Sequence, residues 1–210
     1  MKLWDKNNSA NEKIIEFTVG DDRLNDLYLI KYDLKASISH AKMLYKTNLL
    51  SEIECDRIIN ILNEMLIEAE SGELKIEKEF EDMHSKIEYT LISRLGDIGK
   101  KIHTARSRND QVLVSIQLYL IDELNNIKTE VKSLFDLLIN LAKKNEKIIM
   151  PGYTHMKAAM PSSFGLWFSA YAETLIDDII SLNSTIKIVN QNTLGSAAGY
   201  VTSLDRKSVV

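Results

Sequence analysis

Three short runs concentrate the side chains able to hold a charged small molecule. They are DLKASISH (Asp33 to His40), HTARSRNDQ (His103 to Gln111) and GYTHMK (Gly152 to Lys157). HTARSRNDQ is the densest. Arg106 and Arg108 can each fork onto a carboxylate, and Thr104, Ser107, Asn109 and Gln111 add neutral donors. The same residues also fit a capped helix start with Arg–Asp surface pairs, so composition alone leaves both readings open. Thr154-His155 falls between helix breakers, where irregular backbone presents the imidazole as proton donor, acceptor or orienter. A structural histidine with satisfied hydrogen bonds is the competing account. His84 and Glu88 stand four apart on an expected helix. No second histidine pair or cysteine set completes a metal site, so a helix-face hydrogen bond accounts for them better and no metal is expected. His40 and His103 suit packing or capping. The sequence has no glycine-rich phosphate loop, GxSxG elbow or Cys-His nucleophile pair.

The elements that position these runs are helical. Only 2 prolines and 8 glycines occur in 210 residues, and the abundant Leu, Lys, Glu, Ala and Met favour helix. Pro151 and Pro161 bracket a segment that reads as a connector between two long helices. Before it, Leu120, Leu124, Ile127, Val131, Leu134, Leu138 and Leu141 recur at spacings of four and three, one narrow apolar seam. Lys143, Lys144 and Lys147 close that helix where cations suit its dipole. After the connector, Phe168, Ala172, Leu175, Ile179, Leu182, Ile186 and Val189 repeat the device over about 162–193, with Gly195 as the stop. Two such seams need further helices to cover them, so a stable monomer is not expected. The first hundred residues predict shorter helices. One covers 33–47. A second follows the capping box Ser51-Glu52-Ile53-Glu54, buries Ile58, Ile59, Leu62, Met65 and Leu66, and stops at Gly72. A third covers 79–95, with Gly96 after it. No strand is predicted, and the change from short to long helices suggests a boundary within 105–112.

Composition excludes several classes. Hydrophobic residues are 45% and charged residues 27%, as in globular rather than disordered chains. The net charge of -4 offers no footprint for nucleic acid. No apolar run approaches the ~18 residues of a membrane span, and MKLWDKNNSANEK lacks a signal-peptide pattern. The lone Cys55 cannot form an internal disulfide, so a cytoplasmic location is expected. Asn7-Asn8-Ser9 and Asn183-Ser184-Thr185 then carry no meaning as glycosylation sites.

In order, DLKASISHAKML, EDMHSKIEYTLISRLG, KIHTARSRNDQV, MPGYTHMKAAMPSSFG and NTLGSAAGY resemble argininosuccinate lyase, a family of the fumarase/aspartase superfamily. The similarity runs from about residue 17 to 206. TARSRNDQ is specific to the family, whereas PGYTH is shared across the superfamily. The resemblance implies an all-α fold: a small N-terminal helical domain, residues 1–108, followed by long helices of a central bundle, here 109–210. It implies a homo-oligomer, a tetramer by family, with active sites built from several subunits. It implies reversible β-elimination of argininosuccinate to arginine and fumarate, in arginine biosynthesis, with no cofactor or metal. Ser37, Arg108, Asn109 and Thr154 match positions that bind substrate. His155 matches the histidine assigned to proton transfer, and Thr104, Arg106 and Ser107 support the loop.

The sequence departs from the family pattern. The family's mobile loop, GSSxMPxK, carries its other catalytic residue, a serine, and no such segment occurs here. Lys157 stands where the family has Gln; an inward ammonium would favour a dianion and disfavour a protonated His155. Val201-Thr202-Ser203-Leu204 runs straight to Asp205-Arg206 without the family's Phe-Pro. The expectation is a truncated lyase inactive on its own. Two alternatives stand beside it: a non-catalytic helical scaffold that oligomerises, and a superfamily lyase acting on another succinyl adduct.

Overall fold

A computed structural model describes residues 12–191 and 193. Its elements are α1 (Glu12–Val19), α2 (Asp22–Lys46), α3 (Glu52–Glu70), α4 (Met83–Leu95), α5 (Asp97–Lys100), a 3-10 turn at Lys101–His103, α6 (Arg108–Lys144), β1 (Ile149–Thr154), β2 (Lys157–Ser163) and α7 (Phe164–Val189). Among the described residues the regular structure is helical apart from one two-stranded hairpin. The described residues fall into two compact units, one ending at Tyr119 and one spanning Leu120–Gln191. The division lies inside α6. Gly195, the NTLGSAAGY run and the stretch Val201–Arg206 lie outside the described residues.

In the first unit, Ile30, Leu34 and Leu44 of α2 meet Ile58 and Leu62 of α3 and Leu91 of α4 in a core closed to solvent. Apolar burial of this kind contributes about 25 cal/mol per Å² and is the main force holding the unit. Local signals set the helix ends. Ser51 Oγ accepts from the Glu54 amide, and the Glu54 carboxylate accepts from the Ser51 amide at 3.0 Å, the expected capping box. Beyond α3, Gly72 takes φ +75°, a left-handed turn that ends the helix as predicted.

Two helices have bounds other than those predicted. α2 starts at Asp22, eleven residues before Asp33. Its early turns show no clean apolar stripe, because tertiary contacts fix them: Arg23 Nε donates to the Phe80 carbonyl at 2.7 Å, and Asp26 accepts from the Met83 amide at 2.8 Å. α4 starts at Met83 rather than 79, because Asp82 is extended and caps it, accepting from the Ser85 amide at 2.8 Å.

In the second unit the expected connector is a β-hairpin, which corrects the reading that the chain has no strand. Thr154 pairs with Lys157, Tyr153 with Ala158, and Pro151 with Pro161, with a bulge around Gly152. The two prolines are tolerated because both strands of a hairpin are edges. The strands are largely exposed, so no alternation of apolar and polar residues announces them. Ser163 caps α7, accepting from the Leu166 amide at 3.1 Å. Gly165 lets α7 approach the end of α6, since a Cβ there would stand 2.6 Å from the Glu146 Cα. α6 and α7 leave between them an apolar groove of about 600 Å³ lined by Val131, Phe135, Leu175 and Ile179. Leu120, Ile127 and Leu134 of the first seam remain exposed, as do Ile176, Ile180 and Ile188 of α7.

Candidate active site

Asp33, Ser37 and His40 follow one another at spacings of four and three, which places them on one face of α2. All three are buried. Buried polar groups need partners, and the segment from α4 to the start of α6 supplies them. Arg106 Nη1 donates to Ser37 Oγ at 2.9 Å inside the unit. His40 Nε2 lies 3.0 Å from the Thr104 carbonyl. A carbonyl only accepts, so this nitrogen carries the proton. Asp33 faces His84 Nδ1 at 3.2 Å as an ion pair outside good hydrogen-bond alignment. Its other oxygen accepts from Ser115 Oγ at 3.4 Å.

These contacts set the charges. Burial alone would push the Asp33 carboxyl up, but the charges of His84 and Arg106 and a hydrogen bond from Gln111 hold it below the ordinary carboxylate range. Burial would pull His84 down; Asp33 facing it, with Asp82 beyond, holds the imidazole above its ordinary value. Arg106 is lowered by burial against the pull of Asp33 and Glu88, and a guanidinium keeps its proton nonetheless. His40 goes the other way. Burial first, then the charges of Arg106 and His103, push it down to about 4, opposed by its bond to Thr104. The two buried histidines of the cluster are therefore shifted in opposite directions.

At the cluster's edge, Arg108 Nη1 donates to Asp82 Oδ2 at 2.7 Å and Nη2 reaches Ser85 Oγ at 3.4 Å. Ser107 opens α6, its hydroxyl accepting from the Asn109 amide at 3.3 Å. Thr104 and Asn109 are exposed, and Ser107 and Arg108 are half-buried. The fold thus brings together Ser37, Thr104, Arg106, Ser107, Arg108 and Asn109 in the first unit. Thr154 and His155 stand in the second, at the hairpin tip. His155 and Met156 form its two-residue loop with φ of 50° and 64°. That is the left-handed pair a type I′ turn requires, and both side chains, with that of Lys157, are exposed. Among the described residues no three His, Cys, Asp or Glu side chains converge as metal ligands would. His84 pairs with Asp33 across helices, which corrects the helix-face bond expected with Glu88. Asp33 and Asp82 received no role from the sequence; the signal for Asp33 was its spacing from Ser37 and His40.

An array of guanidinium, amide and hydroxyl groups thus gathers around the start of α6, on a frame that is helical but for one hairpin. Residues 9–209 match the Lyase family, and the chain belongs to it. The chain is 50% identical over 208 residues to the argininosuccinate lyase of Phocaeicola vulgatus, covering 98% of this chain and 47% of that protein. To the argininosuccinate lyase of Thermotoga neapolitana it is 45% identical over 199 residues, or 95% of this chain and 50% of that one. The chain thus spans about half the length of the curated relatives it matches. Among solved structures, a variant of EDDS lyase with bound fumarate superposes with a TM-score of 0.76 at 23% identity, covering 97% of this chain and 40% of the other. The fumarate lyase:delta crystallin of Brucella melitensis gives 0.73 at 19%, covering 89% and 46%. At those identities the likeness establishes the fold alone.

Proposed function

We propose that the chain is part of an argininosuccinate lyase, with residues 1–108 as its N-terminal domain and 109–210 as part of its central bundle. The reaction is the reversible β-elimination of argininosuccinate to arginine and fumarate. The observation that carries this is the 50% identity over 208 residues, which includes the run His103 to Gln111. Removing a proton beside a carboxylate creates a dianion, which fixed donors and positive charge must stabilise more than they stabilise the substrate. Arg108, Asn109, Ser37 and Thr154 are the substrate-binding groups in this reading. His155 handles a proton, with an imidazolium suited to the departing guanidinium nitrogen. Thr104, Arg106 and Ser107 shape the loop. An incoming carboxylate competes with Asp82 for Arg108.

The reading includes self-association. Exposed Leu120, Ile127 and Leu134 on α6, with Ile176, Ile180 and Ile188 on α7, form apolar faces that further copies would cover; by family the assembly is a tetramer. It also places the protein in the cytoplasm, where the buried, unpaired thiol of Cys55 stays reduced. No described helix is long and apolar enough to cross a membrane.

The test is fumarate absorbance on adding argininosuccinate, first to these 210 residues and then after a fragment carrying the family's serine loop is supplied. Nothing is expected from the first arm and fumarate from the second, lost again in His155→Asn. Absence of fumarate from the complemented protein would refute the assignment. A protein that assembles yet never turns over is the second reading, an oligomeric scaffold, which the exposed helix faces also favour. Light scattering that gave a monomer would remove both the tetramer and the scaffold.

A further inference from the structure

Asp33 is fully enclosed and meets two elements beyond α2. Its carboxylate faces His84 of α4 at 3.2 Å and Ser115 of α6 at 3.4 Å. The charge of Arg106, on the connector, acts on it as well. His84 lies in the first turn of α4, two residues after Asp82, and Asp82 in turn grips Arg108 at 2.7 Å. A single buried anion thus stands behind the geometry at the cluster's outer edge.

We propose that Asp33 is a positioning residue: it locks the start of α4 and the start of α6 to α2 and so, through His84 and Asp82, fixes the Arg108 guanidinium where a substrate carboxylate arrives. The role at substrate rests on the function proposed above; the mechanical role does not. The physical reason is the cost of a buried cation left without its anion. With Asp33 neutral, the anions left around these cations are Asp26 and Asp82 beside His84 and Glu88 beside Arg106, while Arg108 opposes a charge on His84 and His40 faces Arg106. His84 then sheds its proton or moves, and the first turn of α4 moves with it. A displacement of about 1 Å at a substrate-binding group is enough to weaken function some hundredfold.

The experiment uses Asp33→Asn, which keeps shape and the Ser115 contact but not the charge. In nitrogen NMR of the 210-residue chain, His84 is expected as an imidazolium at neutral pH in the parent and as a neutral ring in the variant. The Arg108 side-chain signal, identified by its loss in Arg108→Lys, shifts in Asp33→Asn and stays in the surface control Glu64→Gln. In the complemented enzyme, KM for argininosuccinate rises tenfold or more while kcat falls less, the mark of a lost binding group. Asp33→Glu keeps His84 charged but still moves Arg108. Should Asp33→Asn fail to fold, His84→Gln takes its place and must shift the Arg108 signal. Unchanged Arg108 signals in a folded variant would overturn the proposal. A parent enzyme that ignores argininosuccinate would sink the function above while the NMR arms still judge Asp33.

Discussion

His40 gives the structure a worked dependence on pH. Its folded pKa is about 4 against an ordinary 6.5, so the unfolded chain takes up a proton over a range where the folded chain does not. A histidine depressed in this way adds stability that is present above 6.5 and lost as pH falls toward 4. Between pH 7.5 and pH 5 the unfolded state gains most of a proton at this site and the folded state about a tenth, which amounts to about 2 kcal/mol at 1.36 kcal/mol per pH unit. For a unit of roughly a hundred residues that is a fall in Tm of about 10 °C.

Other groups titrate in the same window, so the assay compares slopes. His40→Gln retains a donor for the Thr104 carbonyl and cannot be protonated. Thermal melts followed by circular dichroism at pH 7.5 and pH 5 are expected to show the parent losing about 2 kcal/mol more than the variant. Parallel slopes would refute the reasoning, because the depressed histidine would then not exist in solution. His84 works in the opposite sense. Its raised pKa contributes stability that is complete below 6.5 and disappears as pH rises through the folded value. The same melts carried upward in pH therefore lose stability in the parent more than in His84→Gln.

Much of the frame was legible from residue spacing. The capping box and Gly72 bounded α3, and uninterrupted four-three spacing announced α6 and α7, because each of these signals acts within one turn of chain. The start of α2 was not legible because its stabilising partners, the Phe80 carbonyl and the Met83 amide, lie 57 residues away. The hairpin was hidden for a different reason. Its strands face solvent and hold two prolines, and its turn places His155 and Met156 where the familiar signal is Asn-Gly. Within the site, HTARSRNDQ stood out by density. Asp33 did not, since a carboxylate at the head of a helical run reads equally well as a surface residue until its burial is known.

The remaining outcomes follow from single contacts. Asp82→Ala removes both the α4 cap and the Arg108 pair and costs about 2 kcal/mol; Asp82→Asn keeps the cap and costs less than half of that, and equal losses in urea melts would contradict the division. Gly165→Ala drives a Cβ to 2.6 Å from the Glu146 Cα and is expected to destabilise the second unit by about 1–3 kcal/mol, read by the same melts. Met156→Gly should act in reverse. Met156 is 97% exposed, so truncation sacrifices no burial, while its φ of 64° holds a side chain in a region costing about 1–3 kcal/mol. Glycine relieves that strain but adds about 0.5–1 kcal/mol of unfolded-state entropy, leaving a net gain of up to about 2.5 kcal/mol. A loss of stability instead would mean that the chain in solution does not make the left-handed turn that presents His155.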